Sequence, residues 1–331
     1  MKYSHIIIIT LITLTTQAQP TPIYNLAFEG AGIRGLAFCG AIQALEEQQV
    51  IAQVNNVAGT SAGAITALLL SINYKSSEIA TIIGSTNFKK FNDVGLPILG
   101  GVHRLRKQYG YYKGDKFMQW LYKLVAAKTG NGYITFAQVA AQYKALHITG
   151  TSLTAQKLIT FSATNYPNMP VINAVRISMS IPLYYKAVII DSVGNILKAI
   201  PKLGHYDICI DGGMMCNYPI NTYDQNQKIN THTVGFRVDN AAQILLDNAG
   251  TATLAPIMVY NFATFLNSFL VLNTEQLGRQ RLTVADWERT ISIADGGISP
   301  RIRKMQKFEI NTLITNGYNA TIRYLYKRNK Y

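Results

Sequence analysis

Two segments near the start of the chain constrain its fold more than any other feature. Each is a short apolar run followed by a glycine-rich turn and an apolar helical pattern. The first, NLAFEGAGIRGLAFCGAIQALEE, runs from Asn25 to Glu47; the second, VNNVAGTSAGAITALLLSI, runs from Val54 to Ile72. Apolar runs without alternation belong in sheets covered on both faces, and tandem strand–turn–helix units build parallel sheets. An α/β fold with a mainly parallel sheet is therefore predicted. Further strands are expected at Lys157–Ala163, Asp207–Ile210, Thr233–Arg237 and Thr290–Ile293, and helices at Gly114–Ala127, Leu254–Leu272 and Asn311–Lys327. In such sheets, sites form where the carboxyl ends of strands meet the turns that follow. Both glycine turns lie there.

Read literally, Gly30-Ala31-Gly32-Ile33-Arg34-Gly35 has the G-x-G-x-x-G spacing of a dinucleotide-binding turn. That use requires an acid at the end of the second strand to hold a ribose hydroxyl. The second strand instead runs into Gly59-Thr60-Ser61-Ala62-Gly63, with no acid, while Glu46 and Glu47 fall earlier, on the helix. G-x-S-x-G between a strand and a helix is the pattern of a nucleophile elbow. Gly59 and Gly63 would let backbone pass closely while Ser61 projects above the sheet, near a helix N-terminus that favours developing negative charge. The bare string is weak evidence, and an ordinary turn with a capping serine gives the same letters. Its place between an apolar strand and an apolar helix strengthens it.

Beside such a serine, glycine-turn amides have a natural use. Acyl transfer develops negative charge on a carbonyl oxygen, and preorganised N–H groups stabilise it. Gly30, Ala31 and Gly32 are the candidate donors, with Arg34 and Gly35 bracing the turn. A base is also needed. Asp211 ends the apolar run DICID and is followed by Gly212 and Gly213; burial there would raise its pKa toward neutrality. Asp295, also followed by two glycines, is a rival, and His232 would complete a Ser–Asp–His order.

Taken in order, these blocks resemble the patatin-like phospholipase family, which carries a glycine-rich block, a G-x-S-x-G elbow and a D-G-[GA] block. Ala31 stands where the family has its middle glycine. The resemblance extends through Ser178 to Pro182 and through Asn217 and Pro219, an N-x-P that Asp295 lacks, and spans about Tyr24 to Tyr326. It implies a three-layer α/β sandwich and a lipid acyl hydrolase using a Ser61–Asp211 dyad without histidine or cofactor. A non-catalytic lipid- or acyl-binding protein of the same fold, and a triad esterase using His232, are the alternatives.

Composition bears on partners and compartment. The net charge of +14 suits anionic surfaces. It concentrates in His103–Lys116, where Arg104, Arg106, Lys107 and Lys113 alternate with Tyr109, Tyr111 and Tyr112, and in the tail from Arg301. Peripheral contact with an anionic membrane is one use of such runs, although most are only solvated faces. No nucleic-acid motif accompanies the charge, so no nucleic acid is expected. Residues 1–18, with Lys2, an apolar run from Ile6 to Leu14 and small residues near Ala18, read as an export signal, leaving 19–331 as a single domain. Cys39, Cys209 and Cys216 allow at most one disulfide, and no metal-ligand spacing is present. The stretch Ala255–Leu272 is interrupted by Asn261, Thr264, Asn267 and Ser268, so a buried or interfacial helix is expected there, not a span.

Overall fold

The computed structural model describes residues 21–94, 99–226, 228–251 and 253–328; the expected export signal lies outside them. Its strands are β1 (Asn25–Phe28), β2 (Asn56–Gly59), β3 (Gly110–Tyr112), β4 (Ala145–Ser152), β5 (Lys157–Phe161), β6 (Leu183–Tyr185), β7 (Val188–Ile190), β8 (Ile196–Leu197), β9 (Asp207–Asp211), β10 (Thr233–Asp239) and β11 (Thr290–Ala294). Among the described residues, nine of them form one sheet, while β3 and β6 pair separately. From β11 through β10, β1 and β2 to β4 every pairing is parallel. Antiparallel strands β5, β9, β7 and β8 complete it.

The parallel strands are short and buried on both faces because helices cover both. Phe28 of β1 stacks on Phe236 of β10, with ring centroids 5.1 Å apart, and meets Phe38 of the helix Ala37–Glu47. Burying each such ring contributes about 1.5–3 kcal/mol. That helix packs on the C-terminal helix Lys307–Arg328 at backbone distance. A Cβ on Gly40 would strike the Ile314 carbonyl, and one on Gly317 the Ala37 carbonyl.

Strand β4 carries an arrangement that decides the site. Ile148 pairs with Gly59 of β2 on one side and Phe161 of β5 on the other. Gly150 pairs with Asp211 of β9 and Ile159 of β5. Because β5 holds one edge from Ile148 to Ser152, where both partners meet it, β2 and β9 share the other edge and meet end to end.

The helix expected from Leu254 begins at Phe262, because Asn261 and Thr264 form a capping box that fixes its start. The preceding Ile257, Met258, Val259 and Tyr260 are left exposed, as are Phe265, Phe269 and Leu272. Among the described residues, no helix is long and apolar enough to cross a membrane. The basic runs are not uniformly solvated. Arg104 is buried and donates to the Tyr111 carbonyl at 3.0 Å, and Arg303 pairs with Glu309 at 2.5 Å. All three cysteines are free thiols.

Candidate active site

The glycine turn follows β1 and the serine turn follows β2. These strands are neighbours in register, with Phe28 beside Gly59, so both turns rise side by side from the carboxyl edge of the sheet. The close packing explains the glycines. A Cβ on Gly59 would run into the Gly63 carbonyl, and one on Gly63 into the Phe28 and Glu29 carbonyls. At Gly30 it would lie 3.1 Å from the Ser61 Cβ, and at Gly35 it would lie 3.2 Å from the Ala62 Cβ.

Ser61 sits between β2 and the helix Ala62–Ser71 with φ 52° and ψ −120°. A non-glycine residue pays about 1–3 kcal/mol for such backbone and keeps it only where its surroundings hold it. Here the Ser61 N–H donates to Ser178 Oγ at 2.8 Å, and the Thr60 N–H to the Phe28 carbonyl at 3.2 Å. The strained turn presents the hydroxyl of Ser61 to Asp211 Oδ2 at 2.8 Å and to Met179 Sδ at 3.7 Å.

Asp211 is buried. Its other oxygen, Oδ1, accepts the Gly213 N–H at 2.8 Å. Burial pushes its carboxyl up to about 7, against the opposing pull of the Gly213 N–H and the Ser61 hydroxyl. Gly212 has no room for a side chain, since a Cβ there would run into Thr149.

The two rivals of Asp211 are placed elsewhere. Asp295 Oδ2 receives Arg34 Nη1 at 3.0 Å, and its Oδ1 accepts the Gly297 N–H at 2.9 Å. Arg34 also donates to the Ala31 carbonyl at 3.4 Å, so this pair braces the glycine turn. His232 precedes β10 at the opposite, amino end of the sheet, where its Nδ1 lies 2.8 Å from the Pro22 carbonyl and its ring stacks on Tyr24 at 4.8 Å. A four-residue strand, roughly 13 Å long, separates that end from Ser61. The triad alternative therefore lacks its geometry.

Within the glycine turn the three candidate amides differ. The Gly30 N–H donates to the Asn217 carbonyl at 3.0 Å and is engaged. Among the described residues, neither the Ala31 nor the Gly32 N–H finds an acceptor. Ala31 has φ −129°, which any L-residue adopts, whereas Gly32 has φ +57° and lies against the Pro300 carbonyl. Alanine thus stands where a side chain is tolerated, and glycine where it is required.

Beside Ser61 opens an apolar cavity of about 80 Å³, lined by Ile65, Phe88, Phe91, Phe117, Met179 and Ile302 among others. Its aromatic residues come from separate segments and carry no sequence motif, and neither do Thr149, beside Thr60, and Glu275, beside Asn217.

Residues 26–223 match the family model for patatin-like phospholipases. The uncharacterized protein YqhO of Bacillus subtilis (strain 168) is 31% identical over 212 residues, covering 61% of this chain and 67% of that protein. A probable lipid hydrolase of Invertebrate iridescent virus 6 is 24% identical over 203 residues, covering 61% of this chain and 63% of the viral protein. Among solved structures, VipD from Legionella pneumophila superposes with a TM-score of 0.59 at 16% identity, covering 95% of this chain and 69% of VipD. ExoU of Pseudomonas aeruginosa, in its complex with SpcU, superposes with a TM-score of 0.51 at 16% identity, covering 95% of this chain and 53% of that one. These two likenesses establish the three-layer fold.

Proposed function

Because this chain belongs to the patatin-like phospholipase family, we propose that it hydrolyses carboxylic ester bonds of membrane lipids through a Ser61–Asp211 dyad. The observation that carries this reading is the 2.8 Å hydrogen bond from the strained Ser61 to a buried carboxylate. Ser61 Oγ attacks the ester carbonyl as Asp211 accepts its proton, and the carbonyl oxygen takes up negative charge. The Ala31 and Gly32 amides stabilise that charge, aided by the N-terminal dipole of the helix Ala62–Ser71. Collapse expels the alcohol, which takes the proton from Asp211, and leaves an acyl group on Ser61. Water then attacks the acyl-enzyme with Asp211 again accepting the proton; a fatty acid and free Ser61 result.

An aspartate with an ordinary pKa is a poor base at neutral pH. The upward shift of Asp211 to about 7 brings its pKa close to the working range of a general base. The cavity, at about 80 Å³, is roughly half the size of one that holds benzene, so it takes the start of an acyl chain. Mass spectrometry of the products from mixed phospholipids tests the activity. Free fatty acid and lysophospholipid should appear with the wild type and not with Ser61→Ala. No acyl release from any lipid ester would leave the non-catalytic binding protein as the better reading.

Contact with the lipid surface is peripheral in this proposal. The exposed stretch Ile257–Tyr260, with Phe265, Phe269 and Leu272, supplies apolar surface, and Arg106 and Lys107 supply exposed positive charge. Co-sedimentation with vesicles should weaken with salt and strengthen with anionic lipid. Binding indifferent to both would remove the electrostatic part of the proposal.

A further inference from the structure

We infer that Asn217 and Glu275 are positioning residues that aim the oxyanion amide of Ala31, an inference that rests on the Ser61 nucleophile reading above. Asn217 holds the Gly30 backbone at two points. Its carbonyl accepts the Gly30 N–H at 3.0 Å, and its Nδ2 donates to the Gly30 carbonyl at 3.1 Å. The Gly30 carbonyl and the Ala31 N–H belong to one planar trans peptide unit and point in opposite directions. Fixing that oxygen on Asn217 therefore directs the Ala31 N–H away from Asn217. The clamp needs glycine, since a Cβ at residue 30 would run into Asn217 Oδ1.

Glu275 fixes the clamp in turn. Its Oε1 accepts Asn217 Nδ2 at 2.6 Å, so both side-chain N–H groups of Asn217 are committed. Rotating that amide by half a turn would set its oxygen against two acceptors, so a single orientation survives. The second oxygen of Glu275 accepts Arg237 Nη2 at 2.8 Å. The same Arg237 nitrogen lies 2.7 Å from Oε1 of Glu29, the residue just before Gly30. A closed ring results: Glu29 and Gly30 by the chain, then Asn217, Glu275 and Arg237. Only a carboxylate at residue 275 accepts from both Asn217 and Arg237 at once; a glutamine would meet one donor with another.

Glu275 lies on the helix Phe262–Gln280, beyond the residues 26–223 that match the family model. The inference therefore gives this later helix a part in the chemistry of the early glycine turn. Removing Glu275 still leaves Arg237 paired with Glu29 and Asp239, and Arg279 paired with Asp239 and Asp247, so the fold retains its other ion pairs.

The test is a double-mutant cycle on the full chain, with a soluble short-chain nitrophenyl ester as substrate. Asn217→Ala and Glu275→Ala should each lower kcat about 10- to 100-fold with KM within about twofold, because oxyanion stabilisation acts in the transition state. The double variant should be no slower than Asn217→Ala alone, as expected if Glu275 acts through Asn217. The pH midpoint should stay at the wild-type value, since Asp211 is untouched. Glu275→Gln, nearly isosteric, should lose kcat in the same direction and keeps the test decisive if Glu275→Ala does not fold. Wild-type kcat in the Glu275 variants, or losses that multiply in the double variant, would overturn the inference. Activity surviving in Ser61→Ala would instead overturn the nucleophile reading.

Discussion

Gly59 and Asp211 end their strands head to head against one neighbour: Gly59 pairs with Ile148 and Asp211 with Gly150, leaving only Thr149 between them along β4. Thr149 bonds back to the junction, its Oγ1 lying 2.6 Å from Thr60 Oγ1. Two strands arriving from opposite directions thus deliver a serine and an aspartate, far apart in the chain, to a single point. Asp211→Asn should lower kcat by about 10³- to 10⁴-fold, and Ser61→Ala by at least as much. His232→Ala, at the far end of the sheet, should leave kcat within about twofold. Steady-state rates on one ester substrate check all three, and an inactive His232→Ala variant that still folds would restore the triad.

The buried carboxyl also makes a prediction about pH. Activity should fall below pH 7 along a single-proton curve with its midpoint at about 7, where Asp211 takes up its proton. A pH–rate profile of kcat/KM checks this, and a midpoint near 4, the ordinary value for an aspartate, would mean that burial does not raise the Asp211 carboxyl.

Stability should move the other way. With its folded pKa raised from 3.8 to about 7, Asp211 binds a proton more tightly when folded. Its stabilising contribution is then full below about pH 4 and is lost as pH rises to about 7. The loss is on the order of 4 kcal/mol. Asp211→Asn cannot titrate, so its stability relative to wild type should improve from pH 4 to pH 8. Paired denaturant titrations at the two values measure this difference, and a constant gap would contradict it.

The glycine turn separates two neighbouring positions. Ala31→Gly should change kcat little, because φ −129° already suits alanine. Gly32→Ala should lose at least about 1–2 kcal/mol of stability from its φ of +57°, more with the Pro300 carbonyl in the way, and should lose activity as the turn shifts. Melting curves with rate measurements check the pair.

Much of the candidate site was legible in the sequence because its parts are local. The glycine turn, the elbow and Asp211 with its two glycines are each contiguous, and their backbone demands are written in residue type. The strand β4 was not, although it is central: ALHITGTS mixes His147, Thr149 and Gly150 into an apolar run and carries no clear period. Nor was Glu275, whose role depends on a helix folding back over the sheet's carboxyl edge. Asp295 shows the limit of motif reading. It shares the D-G-G letters with Asp211, and only tertiary placement turns one toward Ser61 and the other toward Arg34.

The covering layer offers a further test. Alanine normally stabilises a helix interior by about 1 kcal/mol over glycine. Gly317→Ala should nevertheless destabilise, by about 1–3 kcal/mol, because its Cβ would strike the Ala37 carbonyl in the facing helix. Thermal melts decide the sign.

The central claim is tested most directly by treating folded protein with a lipid-like fluorophosphonate and mapping the adduct by peptide mass spectrometry. The dyad account predicts one stoichiometric adduct on Ser61, formed faster as pH rises through about 7 and absent in Ser61→Ala. No adduct on Ser61, or an adduct on another residue that persists in Ser61→Ala, would contradict it.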